Sequence, residues 1–297
     1  MSIADLGYRK YVGEIKGRGY RIWTLAWDQF RTFWRGVWIK LLLVAYWLPI
    51  VIMVTVFSLI PFDMIFIGGT GAEQLVLFED FFLSLLTGLV AGVTFGVSWV
   101  FFSFIGSGTI ADDEQNRTLE LYFTRAIHRT DYILGKAIAL LIAAFLMELP
   151  PLTVLFASIA TRSPKGISIS GLGILPLYFG TVGFIFLANT LYIAMILAFS
   201  ASTKSRRYAG ISFFLFILFS EAIAAIITEF GGQRFAVLSV SNNLNGILNA
   251  IMSPEGFIGL FGTQSAGSDL LTNFTIVGGL IVLFSAILIY QVFNKKI

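Results

Sequence analysis

The chain has no cysteine, one histidine (His128) and few charges. Without cysteine there is no disulfide framework and no thiolate metal site. A single histidine excludes a histidine-rich metal centre or catalytic cluster, and His128 reads as a polar loop residue. Charged residues make up 12% of the 297 positions, about half the share usual in a soluble domain. The motif GxxxxGK[ST] is also missing: Gly135–Lys136 lacks the upstream glycine and is followed by Ala137, so no P-loop binds ATP in this chain. The net charge of +3 is small, and the bases sort by membrane side, so nucleic acid is not an expected partner.

What is there is apolar. Hydrophobic residues make up 57% of the chain, with 30 Phe and 29 Gly, and the mean hydropathy is +0.85. Phenylalanine suits lipid-facing surface and glycine close helix packing. Six apolar segments reach or exceed the roughly 20 residues that a helix needs to cross a bilayer: Trp38–Pro61, Phe81–Ile110, Ile133–Ala160, Leu172–Ser200, Ala209–Thr228 and Phe274–Phe293. The second, third and fourth are longer than required and must tilt, kink or project. Kinks are expected at Pro49 in span one and Pro150–Pro151 in span three. Alternating strands of about ten residues, the mark of a membrane β-barrel, are absent. The fold class is therefore an all-α membrane protein with six transmembrane helices.

Ahead of span one, Trp23, Trp27, Phe30, Trp34 and Val37 recur at helical spacing, with Arg21, Asp28, Arg31 and Arg35 on the remainder. Such a helix is expected to lie flat in the membrane interface; otherwise it continues into the first span. No cleavable signal peptide is expected, because the first apolar run begins after some 37 mostly polar residues. Of the 20 Lys and Arg, 17 fall on one side of the proposed spans and three (Arg162, Lys165, Arg234) on the other. The positive-inside rule then makes the chain a multi-pass protein of the cell membrane with both termini cytoplasmic.

The opposite side differs in kind. Residues 62–80 are Gly-rich and acidic, and 161–171 are short. Residues 229–273 are long, with a helical stripe of Leu244, Ile247, Leu248, Ile251 and Met252, a stop at Pro254, and a second apolar patch around Phe257–Phe261. This pattern predicts one or two short extracellular helices packed on the ends of the spans, because an exposed loop does not carry that much apolar surface. The two three-span halves have unlike loops, which gives no support to an inverted-repeat transporter.

Polar residues inside spans are candidate sites. Glu148 and Glu221 lie near or beyond mid-membrane in spans three and five. Each must be protonated, paired or facing a water-filled cavity, and each is a candidate for the substrate path or gate. Asn189 in span four is a candidate for the same path, or for interhelical hydrogen bonding. Gly88, Gly92 and Gly96 form a doubled GxxxG in span two, which packs either inside one subunit or at a subunit or pathway surface.

Between spans two and three runs IADDEQNRTLELYFTRAIHRTDYILGK, residues 110–136. It is charged with both signs, yet Leu119, Leu121, Tyr122 and Phe123 interrupt the polar residues. A loop that only reverses direction in water needs no apolar face; one that docks on a partner does. Asp113–Glu114, Arg117–Thr118–Leu119–Glu120–Leu121, Arg129 and Gly135–Lys136 resemble the signature of the type 2 ABC exporter permeases, in which an acidic pair is followed by Gly-Thr-Leu-Glu-Leu, a Pro, a basic residue and a Gly-Lys that opens span three. The chain departs from it at Arg117, where Gly is usual, and at Ala126–Ile127, where a Pro is common.

The resemblance implies a permease subunit without catalytic residues or a bound metal. It would pair with a second permease, identical or related, and with two separate ABC ATPase subunits that hold ATP and Mg. Residues 1–37 would be the cytoplasmic N-terminus with its interfacial helix, and 38–297 the six-span domain. The coupling loop, 111–132, would seat in the ATPase through Leu119, Leu121, Tyr122 and Phe123, with Asp113, Glu114, Arg117, Glu120, Arg125 and Arg129 fixing register. The segment 229–273 would form the extracellular gate. The competing expectation is an ion-coupled secondary transporter or channel that uses Glu148 and Glu221. A membrane-embedded enzyme has weaker support, since nothing pairs those two carboxylates in sequence. The substrate class stays open among lipid, hydrophobic peptide and drug-like molecule.

Overall fold

A computed structural model of the chain describes residues 17–59, 84–123, 127–162, 173–252 and 269–294. The long apolar runs fold as helices even where Pro49, Pro150 and Pro151 interrupt them, and the described residues contain no strand. In chain order the elements are α1 (Arg18–Arg35), α2 (Val37–Leu59), α3 (Ser84–Gln115), α4 (Thr118–Phe123), α5 (Arg129–Arg162), α6 (Ile174–Ser202), α7 (Arg206–Gly231), a 3₁₀ turn (Gln233–Leu238), α8 (Val240–Met252) and α9 (Leu270–Asn294). Six of them, α2, α3, α5, α6, α7 and α9, are long and apolar enough to span a membrane, which makes the chain a multi-pass membrane protein. The expectations for residues 62–80, Arg125, Pro254 and the 257–261 patch lie outside the described residues.

Helix α6 is the hub. It packs against α3, α5, α7, α8 and α9, and 67% of its apolar stretch is buried, against 17% for α2 and 22% for α7 and α9. The outer helices turn large side chains such as Val51, Ile52, Phe219 and Leu283 outward, as a lipid-facing surface does.

Two irregularities are repaired by side chains from other spans, as an apolar interior requires. Helix α5 runs through Pro150 and Pro151. Pro151 has no N–H to give to the Met147 carbonyl, and the Trp47 indole of α2 donates to that carbonyl at 2.9 Å. Helix α3 contains π turns at Val93–Val97 and Phe102–Gly106. Just beyond the second, the buried Ser200 hydroxyl of α6 accepts from the backbone N–H of Ile110 (3.0 Å) and Ala111 (2.9 Å) and donates to the Ser107 carbonyl (2.7 Å). A single hydroxyl thus bonds three backbone groups of α3 where its winding changes.

Helix α1 buries Leu25, Ala26 and Phe33 and packs on α5. Trp23, Trp27, Phe30 and Trp34 stack in a row along it with ring centroids 5.4–6.3 Å apart. The three tryptophans are exposed.

Candidate functional site

The connection between α3 and α5 is built tightly. Helix α3 ends with Asn116 N–H donating to the Asp112 carbonyl (3.0 Å) and Arg117 N–H to the Glu114 carbonyl (3.1 Å). Arg117 adopts φ 55°, the left-handed conformation that closes helices and that glycine enters without a Cβ penalty. The Thr118 hydroxyl then donates to the Asp113 carbonyl at 3.0 Å, and α4 begins at Thr118. Leu119 is buried and Tyr122 half-buried, its ring 5.5 Å from that of Tyr132. Glu120, Leu121 and Phe123 lie on the α4 backbone.

Charged groups lock this turn to α5 and α1. The Asp113 carboxylate receives the Lys136 ammonium at 2.6 Å and the Tyr132 hydroxyl at 2.6 Å. Lys136 also donates to the Gln29 side-chain oxygen of α1 at 2.5 Å and lies over the Tyr132 ring, 5.3 Å from its centre. Its side chain is 2% exposed, so the ammonium has traded water for a carboxylate, an amide oxygen and an aromatic face. One residue earlier, Gly135 touches α1: a Cβ there would stand 2.9 Å from Leu25 Cβ and 3.3 Å from the Ile22 carbonyl. Arg18 closes the same joint, with an ion pair to the buried Asp131 at 2.6 Å and a hydrogen bond to Thr130 at 3.2 Å.

Arg129 reaches the far end of the chain. It donates to the carbonyls of Val292 (3.0 Å) and Phe293 and lies over the Phe293 ring. A cation on the last carbonyls of α9 complements the negative end of that helix. The start of α5, the whole of α1 and the end of α9 therefore share one end of the bundle.

The intramembrane polar residues separate into two places. Glu148 of α5 is 2% exposed; its two oxygens accept from the Ser98 hydroxyl of α3 (2.6 Å) and the Asn189 amide of α6 (2.8 Å). Glu148 and Asn189 thus join, and one carboxyl ties three spans together. Glu221 of α7 sits elsewhere, at the start of α8. It accepts from the Ser239 hydroxyl (2.5 Å) and the Ser241 N–H (2.9 Å), while Ser239 takes the Asn242 N–H (2.8 Å). Ser239 is the N-cap of α8, and Glu221 adds a negative group where the helix dipole favours one. Gly92 and Gly96 are exposed, and among the described residues no atom beyond their own stretch of helix comes within 4 Å of where a Cβ would stand; Gly88 is half-exposed.

Sequence reasoning brought Asp113, Tyr122 and Arg129 to this joint but passed over Tyr132, Gln29 and Asp131 as partners. The one available signal was a lysine and an aspartate within the first turns of an otherwise apolar span, where unpaired charge is costly. Ser98 carried no signal, because a lone serine in a span is ordinary. No family model matches the chain, and no curated protein is similar enough to match it.

Proposed function

We propose that the chain is the permease subunit of an ATP-driven exporter of the type 2 ABC kind, pairing with a second permease and taking mechanical input from two separate ATPase subunits. The observation that carries this reading is the left-handed Arg117: the residue that stands where the signature has glycine occupies the backbone conformation that glycine serves. The Gly135–Lys136 pair of the signature has an equally concrete use here, close approach of α1 for the first and the Asp113 pin for the second.

In this reading α4 is the coupling helix. A push on α4 passes through Tyr122, Asp113 and Lys136 into α3 and α5 together, and through Arg18 and Gln29 into α1. Helix α1 lies in the cytoplasmic interface with its tryptophans in the headgroup layer. Both termini are cytoplasmic, in keeping with the shared end of α1, α5 and α9 and with the lysine and arginine bias. The 3₁₀ turn and α8 form the outer gate, and ATP with Mg is bound by the partner ATPase alone. The ion-coupled alternative draws less support, since Glu148 and Glu221 each already accept two hydrogen bonds in unconnected places.

Purification from the native host in mild detergent, with an ATPase assay, tests the proposal. A P-loop subunit in stoichiometric amount is expected. Leu121→Asp is expected to abolish transport-linked ATPase stimulation while the chain still inserts. A chain that purifies alone and transports under an ion gradient without ATP would overturn it.

A further inference from the structure

An open groove of about 740 Å³ runs between the starts of α2 and α7 and the second half of α3. Its floor forms because Gly210 of α7 lies directly on the Ser103 carbonyl of α3, where any larger residue would clash. Its walls are apolar: Trp38, stacked on Phe104 at 5.6 Å, stands on one side, and Ile211, Phe214 and Leu215 on the other. At one end the lining changes character to Arg206 and Arg207. Arg206 is anchored by donating to the Phe104 carbonyl and shares the adjoining small cavity with Asp112. Arg207 is exposed, and among the described residues it makes no hydrogen bond or ion pair. Lys204, two residues before Arg206, is exposed as well.

We propose that this groove binds one anionic phospholipid, with its phosphate on Arg207 and Arg206 and an acyl chain along Ile211, Phe214 and Phe104. Charge decides the occupant. Both bases stand at the end of an apolar trough, at the level where spans four and five leave the membrane. A phosphate with hydrocarbon attached matches both parts, whereas a neutral hydrophobic molecule leaves the guanidinium of Arg207 unused. Trp38 marks the same level, as interfacial tryptophans do. The inference rests on membrane insertion of the six helices and not on ATPase coupling, so the two proposals fail separately.

The test is native mass spectrometry of the full chain, with whatever subunits accompany it, after equilibration with vesicles of equimolar phosphatidylglycerol and phosphatidylcholine. One retained phosphatidylglycerol per chain, preferred over phosphatidylcholine, is expected. Arg207→Ala should lower that retention roughly fivefold, the share of one interfacial base. Ile211→Trp should fill the trough and abolish retention of both lipids, and Arg31→Ala, on α1 away from the groove, should change nothing. Equal retention of the two lipids, or a preference untouched by Arg207→Ala and Ile211→Trp, would overturn the proposal. So would retention of glycerol phosphate, which has no acyl chains, as firmly as the lipid. Loss of a chain–chain dimer in both groove variants with lipid retention intact would instead assign the groove to a second copy.

Discussion

Lys136 and Asp113 form a 2.6 Å ion pair between the start of α5 and the last turn of α3, and the turn carrying α4 closes between them. The pair is shielded on the lysine side and 18% exposed on the aspartate side. Removing one partner strips the other of its counter-charge, leaving Asp113 with the Tyr132 hydroxyl and Lys136 with the Gln29 oxygen. Lys136→Met is expected to cost about 3 kcal/mol, toward the low end for a broken buried pair, as a lowered midpoint of thermal unfolding in detergent. Lys136→Met with Asp113→Leu should recover part of that loss, since the stranded charge is gone. A double variant no more stable than Lys136→Met would argue against the pair.

Arg117 supports a reversed expectation about glycine. Replacing arginine at φ 55° by glycine removes a Cβ penalty of about 1–2 kcal/mol and adds about 0.5–1 kcal/mol of unfolded-state entropy. Arg117→Gly should therefore be neutral or stabilising by up to about 1.5 kcal/mol, whereas the β-branched Arg117→Val should destabilise by about 1–2 kcal/mol. Comparing the unfolding midpoints of the two variants checks both signs.

Gly135 should be intolerant of any side chain. Its missing Cβ lets Leu25 and the Ile22 carbonyl approach, and a valine there would push α1 off α5. The lack of native cysteine makes this easy to read. In an Ala26→Cys reporter, at a position with 0% exposure, thiol labelling should be slow in the parent and at least tenfold faster with Gly135→Val. Unchanged labelling would mean that α1 does not depend on this contact.

Glu148 should matter for its two donors. Glu148→Gln keeps a polar group facing Ser98 and Asn189, and a loss of under about 1 kcal/mol is expected. Glu148→Leu leaves both donors buried and unpaired, at about 1–3 kcal/mol each, and should lower the unfolding midpoint far more. If Glu148→Gln instead folds normally and stops transport, the ion-coupled reading regains its footing.

Glu221→Ala should cost about 1 kcal/mol through loss of the group that receives the Ser241 N–H and orients Ser239 at the start of α8. Faster hydrogen exchange confined to the first turn of α8 would identify the effect as local.

How much of this was legible varies with how local the cause is. Each of the six spans follows from about 20 consecutive apolar residues, and all six appear near their expected positions. Hydropathy ends span two at Ile110, but α3 continues to Gln115, because Asp112, Asp113 and Glu114 extend a helix beyond its apolar stretch. The Trp23–Trp34 spacing predicted one helix, and α1 carries those rings in a stack along its length. The Leu244–Met252 stripe predicted another, and α8 buries Leu244, Ile247, Leu248 and Met252. Of the candidate site, Asp113 and Lys136 were both legible as elements of one motif, but their mutual contact was not.

By itself, then, the sequence determined what local patterning determines: which stretches cross a membrane, how the bases divide between its sides, and where chains of apolar residues switch to charge. Tertiary structure alone decided which polar groups meet. Glu148 and Glu221 look alike along the chain, yet one ties three spans together and the other caps a helix. The difference arises from how α3, α5, α6 and α7 are rotated against one another. That rotation is set by packing around α6 and by close approaches such as Gly210 on Ser103 and Gly135 on Leu25. In a chain this uniformly apolar, hydropathy places the helices in the bilayer but scarcely distinguishes one helix face from another.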